Sequence, residues 1–394
     1  MCIRDSSKAF ENAALLADVY AEPTTAPAVQ ADSFSGAGTS VQGSKTFHVA
    51  SVEAYSSWTT AASGYTMEAL GPDYLSEGLY YRASGEDPWK SEIPQTFTTL
   101  YVKTAGDNTV MTAEQMKAVA DAVKALATPA TVDFSEVVYE SETFPNSFKS
   151  NANLAGIVFP QNVTKTASAA FQKTGMTSVT LLKGISYGSN AFDSCASLVS
   201  VTVEEGVTEI GNYMFQNTKL TDVTLPNSVT KIGASAFNGC SLTTINFGQG
   251  VKTIENSAFQ NCGELTEIIL PDATETLGQN AFGDCPKLAK ISLGKNMKTL
   301  EAYCFVGYSK GCPLLGDIIC RATTPPTLKD DYGTGPFGGG WSPVAGKDVP
   351  AENRIIHLPK SADLVGGTGA YADSSWVKLT SSTYGFAFKY DVEG

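Results

Sequence analysis

The sequence predicts an α/β solenoid. Short parallel strands and helical turns stack coil on coil, between an N-terminal α+β cap domain and a C-terminal cap. Three observations predict it. An apolar residue recurs at Leu154, Met176, Leu198, Leu220, Leu242, Leu265 and Leu288, in steps of 22 or 23 residues. Each recurrence opens the same strand-like phrase, L-x-x-φ-x-φ, as in LTDVTL and LTEIIL. Each repeat then closes on a phenylalanine: Phe171, Phe192, Phe215, Phe237, Phe259, Phe282 and Phe305.

Composition sets the frame. The chain has 394 residues, room for two or three domains, with 42% apolar and only 17% charged residues. A net charge of −13 repels phosphates, which makes nucleic acid and anionic lipid poor partners. No run of 18 apolar residues exists, so no transmembrane segment is expected. MCIRDSS lacks a basic region followed by an apolar one. MCIRDS resembles a peptide that arises where sequencing-adapter DNA is translated at assembly ends. The native start is therefore expected to be missing, and residues 1–7 are set aside.

Residues 8–44 read as a short helix (8–19) and a flexible linker rich in Ala, Thr, Pro, Ser and Gly. Residues 45–130 read as a cap domain whose many aromatics form its core. KTFHVASV and TFTTLYVKT look like strands, with β-branched and aromatic residues. TAEQMKAVADAVKALA (112–127) is the clearest helix. Thr112 and Gln115 fit a capping box, and Met116, Val119, Ala120, Val123 and Leu126 share one face. Pro129 stops it, and TVDF (131–134) follows as a strand.

The array spans 131–320. A period of 20 to 29 residues with this strand phrase is the signature of a leucine-rich repeat. One coil cannot bury its inward strand face; stacked coils bury it in a continuous column, their strands paired as a parallel sheet. Pro160, Pro226 and Pro271 follow the strand, where no ladder donor is needed. Gly211, Gly233 and Gly278 are expected at tight corners. The Ala-Phe pairs are expected on the opposite wall in a helical turn, with Phe plugging the interior. VDFSEVVYESETFPNSF (132–148) reads as a degenerate first coil and LGDIIC (315–320) as a later one.

LTDVTLPNSVTKIGASAFNGC (220–240) resembles the unit of the bacterial BspA-like leucine-rich repeat family, L-x-x-φ-x-L-P-x-x-φ-x-x-I-G-x-x-A-F-x-x-C. The resemblance covers about 131–320. CRATTPPTL, IIHLP and YADSSW, within 321–394 and just before it, resemble the C-terminal cap of Bacteroidetes members. TAEQMKAVADAVKALATPATVDFSE resembles their leading helix and first strand. The Gly-rich insert GTGPFGGGW (333–341) departs from the pattern. The resemblance implies an exported or surface-anchored protein that adheres to host or microbial surface proteins or glycans. It supplies no catalytic residues, and no cofactor is expected.

Chemistry-bearing residues have plain readings beside the functional ones. Cys195, Cys240, Cys262 and Cys285 fall three residues after their coil's Phe, where other coils carry Thr174, Thr218 and Tyr308. A position open to Thr and Tyr is no required ligand or nucleophile, so these thiols read as small buried hydrophobes. Cys304 and Cys312 are the best-placed pair for a disulfide. GISYG (184–188) fits the G-x-S-x-G nucleophile elbow, but Ser186 falls mid-repeat, far in sequence from either histidine. His48 and His357 read as cap residues, and no metal site is expected. The outward strand positions include Thr180, Thr202, Asp222, Thr224, Thr244, Asn246 and Glu267, which are the candidate binding residues. The same rows hold Ser178, Ser200, Ile269, Lys290 and Ser292. Solenoids often bind partners on this face; a solvated Ser/Thr ladder is the plain alternative. The expected protein is therefore a monomeric, non-enzymatic binding protein outside the cell or on its surface. A structural spacer and a serine hydrolase are the rivals.

Overall fold

The structure, a computed structural model, describes residues 18–21, 46–49, 66–69, 78–106, 109–306, 309–329, 335–338, 345–350, 353–360, 371, 375–380 and 384–392. The first seven residues, the linker 22–44 and most of the Gly-rich insert lie outside them. So does the expected helix over 8–19, except at its end. There Asp18 and Val19 open a strand, because Asp18–Ala21 pairs with Thr46–Val49 and Val19 and Tyr20 suit a pleated surface.

The chain divides into two compact units, residues 1–92 with 104–109 and residues 93–103 with 110–394. In the first, β1 (Asp18–Ala21), β2 (Thr46–Val49) and β3 (Thr66–Ala69) form a parallel, in-register sheet. β4 (Gly78–Arg82) bends back so that Tyr81 and Lys90 exchange main-chain bonds of 2.8 and 2.9 Å. The Arg82 guanidinium lies 4.3 Å over the Trp89 ring.

The second unit opens with all but the last two residues of β5 (Thr99–Ala105), then α1 (Ala113–Ala125) and β6 (Ala130–Glu136). The capping box is present: Thr112 Oγ1 accepts from Gln115 N at 3.3 Å and Gln115 Oε1 accepts from Thr112 N at 2.8 Å. Met116, Val119, Ala120 and Val123 are buried. The coils supply β7 (Thr143–Phe144), β8 (Leu154–Val158), β9 (Lys165–Thr166), β10 (Ser178–Leu181), β11 (Ser200–Val203) and β12 (Glu209–Ile210). Then come β13 (Asp222–Thr224), β14 (Lys231–Ile232), β15 (Thr244–Asn246), β16 (Thr253–Ile254), β17 (Glu267–Ile269) and β18 (Thr276–Leu277). β19 (Lys290–Leu293), β20 (Thr299–Leu300), β21 (Asp317–Cys320), β22 (Thr327–Leu328), β23 (Ile355–Pro359) and β24 (Ala387–Val392) complete the unit.

These strands make a parallel β-solenoid of about eight turns with few helices. The longer strands form one wall and the two-residue strands a second, ordered β12-β14-β16-β18-β20-β22. The twelfth-position residues Ile210, Ile232, Ile254, Leu277 and Leu300 are wholly buried behind that second wall. IIHLP continues the strand wall, since β23 pairs in parallel with β21. Trp376 caps the end of the core, donating from Nε1 to Pro326 O at 2.8 Å, and the Tyr371 hydroxyl donates to Ala322 O at 2.8 Å.

The third wall carries the Ala-Phe pairs. It is a run of successive i→i−3 turns, not an α-helix. Ser235 and Ser257 adopt left-handed φ of 53° and 56°, as do Asn190, Tyr213 and Asn280 in their coils. Left-handed residues recur every fourth position, as at Ser235 and Gly239, and alternate N–H groups point along the stack. Ser235, Phe237 and Gly239 N donate to Asn256, Ala258 and Gln260 O of the next coil at 2.9, 2.8 and 2.9 Å. Inside this wall the Phe rings stack. Phe237, Phe259 and Phe282 have centroids 5.2 Å apart at each step, with planes within 6° of parallel.

Two expectations need refining. Gly233 and Gly278 do lie at the corners between a two-residue strand and the turn wall, but neither has positive φ, so corner geometry is not what requires glycine. They admit the previous coil: a Cβ on Gly233 would sit 2.5 Å from Asn212 Oδ1 and 2.8 Å from its main-chain N. Nor is the strand wall one sheet. It is broken into β5-β6-β8, β10-β11, β13-β15 and β17-β19-β21-β23-β24. Of the inward residues beside the breaks, Ile157, Val179, Val201 and Ile245 are only half-buried, whereas Val223 and Ile268 are buried.

Candidate functional site

All seven candidate binding residues project from the strand wall and are exposed. Strand register decides which of them meet. Thr180 is level with Thr202, Asp222 with Thr244, and Thr224 with Asn246. Glu267 is level with Lys290 and forms an ion pair with it at 3.2 Å. The breaks keep Thr202 out of ladder register with Thr224. Ser292, expected to be exposed, is buried; in register it lies between Ile269 and Ile319, whose bulk crowds the same face.

Two of the breaks are grooves. One, of about 410 Å³, lies between β8 and β10 over Ile157, Phe159 and Val179. The other, of about 400 Å³, lies between β15 and β17 and gathers three of the seven residues, Thr244, Asn246 and Glu267. Its remaining lining includes Phe247, Gln249, Ile269, Asp272 and Arg321. Ile269 is the most exposed large apolar side chain among the described residues, at 59%. Arg321 reaches back across two coils. Its Nη2 donates to Leu270 O at 2.9 Å, Nε donates to Leu293 O at 3.3 Å, and Nη1 pairs with Asp272 Oδ1 at 3.1 Å.

Gln249, Asp272 and Arg321 were not singled out by sequence. The signal that marks both grooves is the last strand position. Leu181, Leu225, Leu270 and Leu293 occupy it in closed or nearly closed coils; Phe159 and Phe247 occupy it immediately before the two grooves. Phe247 stands edge-on to Phe259, with centroids 5.7 Å apart and planes at 81°, and so fills the width that a Leu would leave for the next coil. The third break, after Val203, has no such wedge.

The thiols lie elsewhere. All seven described cysteines are free and buried, including Cys304 and Cys312, the pair best placed in the sequence for a disulfide. Cys240, Cys262 and Cys285 Sγ donate to the Phe carbonyl of the preceding coil, Phe215, Phe237 and Phe259, at 3.1, 3.3 and 3.3 Å. Where threonine stands instead, its hydroxyl donates to its own coil's Phe, as Thr218 does to Phe215 O at 2.9 Å. The column therefore takes a small side chain with one proton to donate. Cys312 enters it after a loop and donates to Phe282 O at 3.2 Å. Burial pushes the Cys240 thiol up to about 11 and raises Cys262, Cys304 and Cys312 as well, the opposite of an activated nucleophile.

Ser186 sits in a bridge to Lys165, not at a strand-to-helix elbow. Its neighbour Tyr187 is held structurally: the hydroxyl accepts from Leu182 N at 3.1 Å, and burial pushes it up to about 12. His48 lies in β2. The His357 Nδ1 lies 2.8 and 2.9 Å from the Asp391 carboxylate oxygens, and Nε2 lies 3.4 Å from Asp317 Oδ1. Among the described residues, no three His, Cys, Asp or Glu side chains converge as metal ligands, and no helix is long and apolar enough to cross a membrane.

No curated protein matches the chain. Among solved structures it is similar to the pneumococcal vaccine antigen PcpA, at 18% identity over 59% of this chain and 68% of that one, with a TM-score of 0.35. A leucine rich cell surface protein from Faecalibacterium prausnitzii A2-165 is 18% identical over 81% and 95% of the two chains, with a TM-score of 0.30. A leucine-rich repeat protein from Bacteroides ovatus ATCC 8483 is 15% identical over 81% and 100%, with a TM-score of 0.28. Residues 132–187 and 185–311 match the BspA type leucine rich repeat region in six copies, and the repeat array of this chain belongs to that family.

Proposed function

We propose that this protein is a non-enzymatic binding and adhesion protein, placed outside the bacterial cell or on its surface. It presents the strand wall of its solenoid to proteins or glycans of host or microbial surfaces. The observation that carries the reading is the groove between β15 and β17. It combines an Ile side chain 59% exposed with polar side chains from successive coils. An apolar group bared inside a polar rim is the composition of a contact site, whereas a solvated ladder would be polar throughout. Thr180, Thr202, Asp222 and Thr224 extend the same face as weaker contacts, whose sum rises when many copies are displayed together. The region 45–130 serves as the N-terminal cap, 131–320 as the binding array and 321–394 as the C-terminal cap.

The full chain, immobilised, is tested against matrix proteins, glycans and whole bacterial and epithelial cells. Ile269→Lys should remove most of the captured ligand, and Ser189→Lys on the turn wall should remove none. Equal capture by both variants would refute the wall as the binding face, and capture of nothing would favour the spacer.

A further inference from the structure

Resting on that reading of the wall, we infer that the groove between β15 and β17 is a subsite for an uncharged oligosaccharide. Charge is the first argument. The groove's ionic groups are already neutralised within the fold: Glu267 by Lys290 at 3.2 Å, and Asp272 by Arg321 at 3.1 Å. Arg321 also spends N–H groups on two main-chain carbonyls. A charged ligand would have to break these pairs, and an anion would in addition enter the field of a chain with net charge −13.

The neutral polar groups are the second argument. Among the described residues, the side chains of Thr244, Asn246 and Gln249 make no hydrogen bond within the protein, although Asn246 and Gln249 are exposed on the groove. Each amide offers two donors and an acceptor fixed in one plane. Sugar hydroxyls, which both donate and accept, complement such groups; an apolar or purely ionic ligand does not.

The floor is the third argument. Ile269, with Phe247 behind it, provides an apolar platform against which the C–H face of a sugar ring packs while its hydroxyls reach the amides. A volume of about 400 Å³ lies within the roughly 300–1,000 Å³ of small-ligand sites. The topology disfavours an extended peptide held by strand addition. That mode needs a free sheet edge with a strand's width, about 4.8 Å, open beside it. Here the two facing edges belong to successive coils of one stack.

The test uses the full chain and a panel of neutral oligosaccharides of two to six units, gluco-, galacto-, manno- and xylo-configured. Binding is followed by ligand-observed NMR and titration calorimetry. At least one configuration should bind with an affinity that changes less than twofold between 0.05 and 0.5 M NaCl. Asn246→Ala and Ile269→Asp should each weaken it at least tenfold, and Phe247→Leu, by letting the coils close, should do the same. Ser189→Lys should leave it unchanged. If no neutral oligosaccharide binds while Ile269→Lys still abolishes capture of a protein ligand, the sugar assignment is wrong and the binding wall stands. If ligands bind but no groove variant affects them, both readings fall.

Discussion

Replacing Phe259 by Ala removes a ring from the middle of the phenylalanine column. Phe259 is wholly buried, lies 5.2 Å from Phe237 on one side and 5.2 Å from Phe282 on the other, and meets the edge of Phe247 at 5.7 Å. A buried Phe→Ala costs about 3–5 kcal/mol, and each lost ring pair contributes about 0.5–1.5 kcal/mol of that beyond area burial. Three pairs are lost, so about 4–5 kcal/mol is expected from urea unfolding of the full chain. In a stack each coil touches only its neighbours, so the damage should be local. Hydrogen exchange should speed up at the amides of Ser235, Phe237 and Gly239, which bond to the mutated coil, and stay slow at Ala169, Phe171 and Lys173. A cost below about 1 kcal/mol, or protection lost evenly along the array, would refute the column as the source of coil-to-coil cohesion.

Two further expectations follow from buried polar groups. The Asp284 carboxylate accepts from Ser309, Lys310 and Gly311 N at 3.0, 2.6 and 2.9 Å, so Asp284→Ala should cost about 2–4 kcal/mol and expose those three amides to exchange, while Asp284→Asn, which keeps a left-handed-tolerant side chain and one acceptor, should cost about half as much. The buried thiols make stability fall in alkali: their folded values are raised, so the unfolded chain loses protons first. Their contribution is intact below about pH 9 and is lost as pH climbs, through about 11 for Cys240. Each such thiol adds a slope of about 1.4 kcal/mol per pH unit in that window. Urea midpoints that stay flat from pH 7.5 to 10 would contradict the burial, as would native-state labelling of these cysteines by a thiol reagent at pH 8.

The period made most of the fold legible. Positions that repeat at 22 or 23 residues have one structural meaning, so seven coils vote on each, and buried positions such as Ile232, Phe237 and Leu242 are where that vote puts them. What the period leaves out is local backbone geometry. Gly233 recurs because the neighbouring coil's main chain comes within a Cβ's reach, and a sequence shows the recurrence without the neighbour. The left-handed residues of the turn wall were equally hidden, since Ser235, Tyr213 and Asn280 share no chemistry that announces a positive φ. In the sequence Cys240 reads as filler, which its burial supports, but its proton has a use that only the Phe215 carbonyl beside it reveals.

The candidate site was legible in part for a related reason. A repeat average predicts a uniform wall, and a uniform wall has no preferred spot for a ligand. Specificity enters where coils differ from the average. Phe247 is such a difference: the consensus Leu lets coils close, and the larger ring, braced edge-on against Phe259, holds them open. The same coil pair then exposes Ile269 and leaves Asn246 and Gln249 unbonded, while Lys290 pairs with Glu267 and Arg321, from beyond the last consensus coil, with Asp272. None of these departures is informative alone. Together they convert one step of a regular stack into a neutral, half-apolar groove. Phe159 repeats the wedge between β8 and β10, but there the lining carries no ionisable side chain and no amide. If the wedge alone made a binding site, both grooves would take the same ligand. If the planar amides select it, only the groove at Phe247 should, and Phe159→Leu should leave oligosaccharide binding untouched.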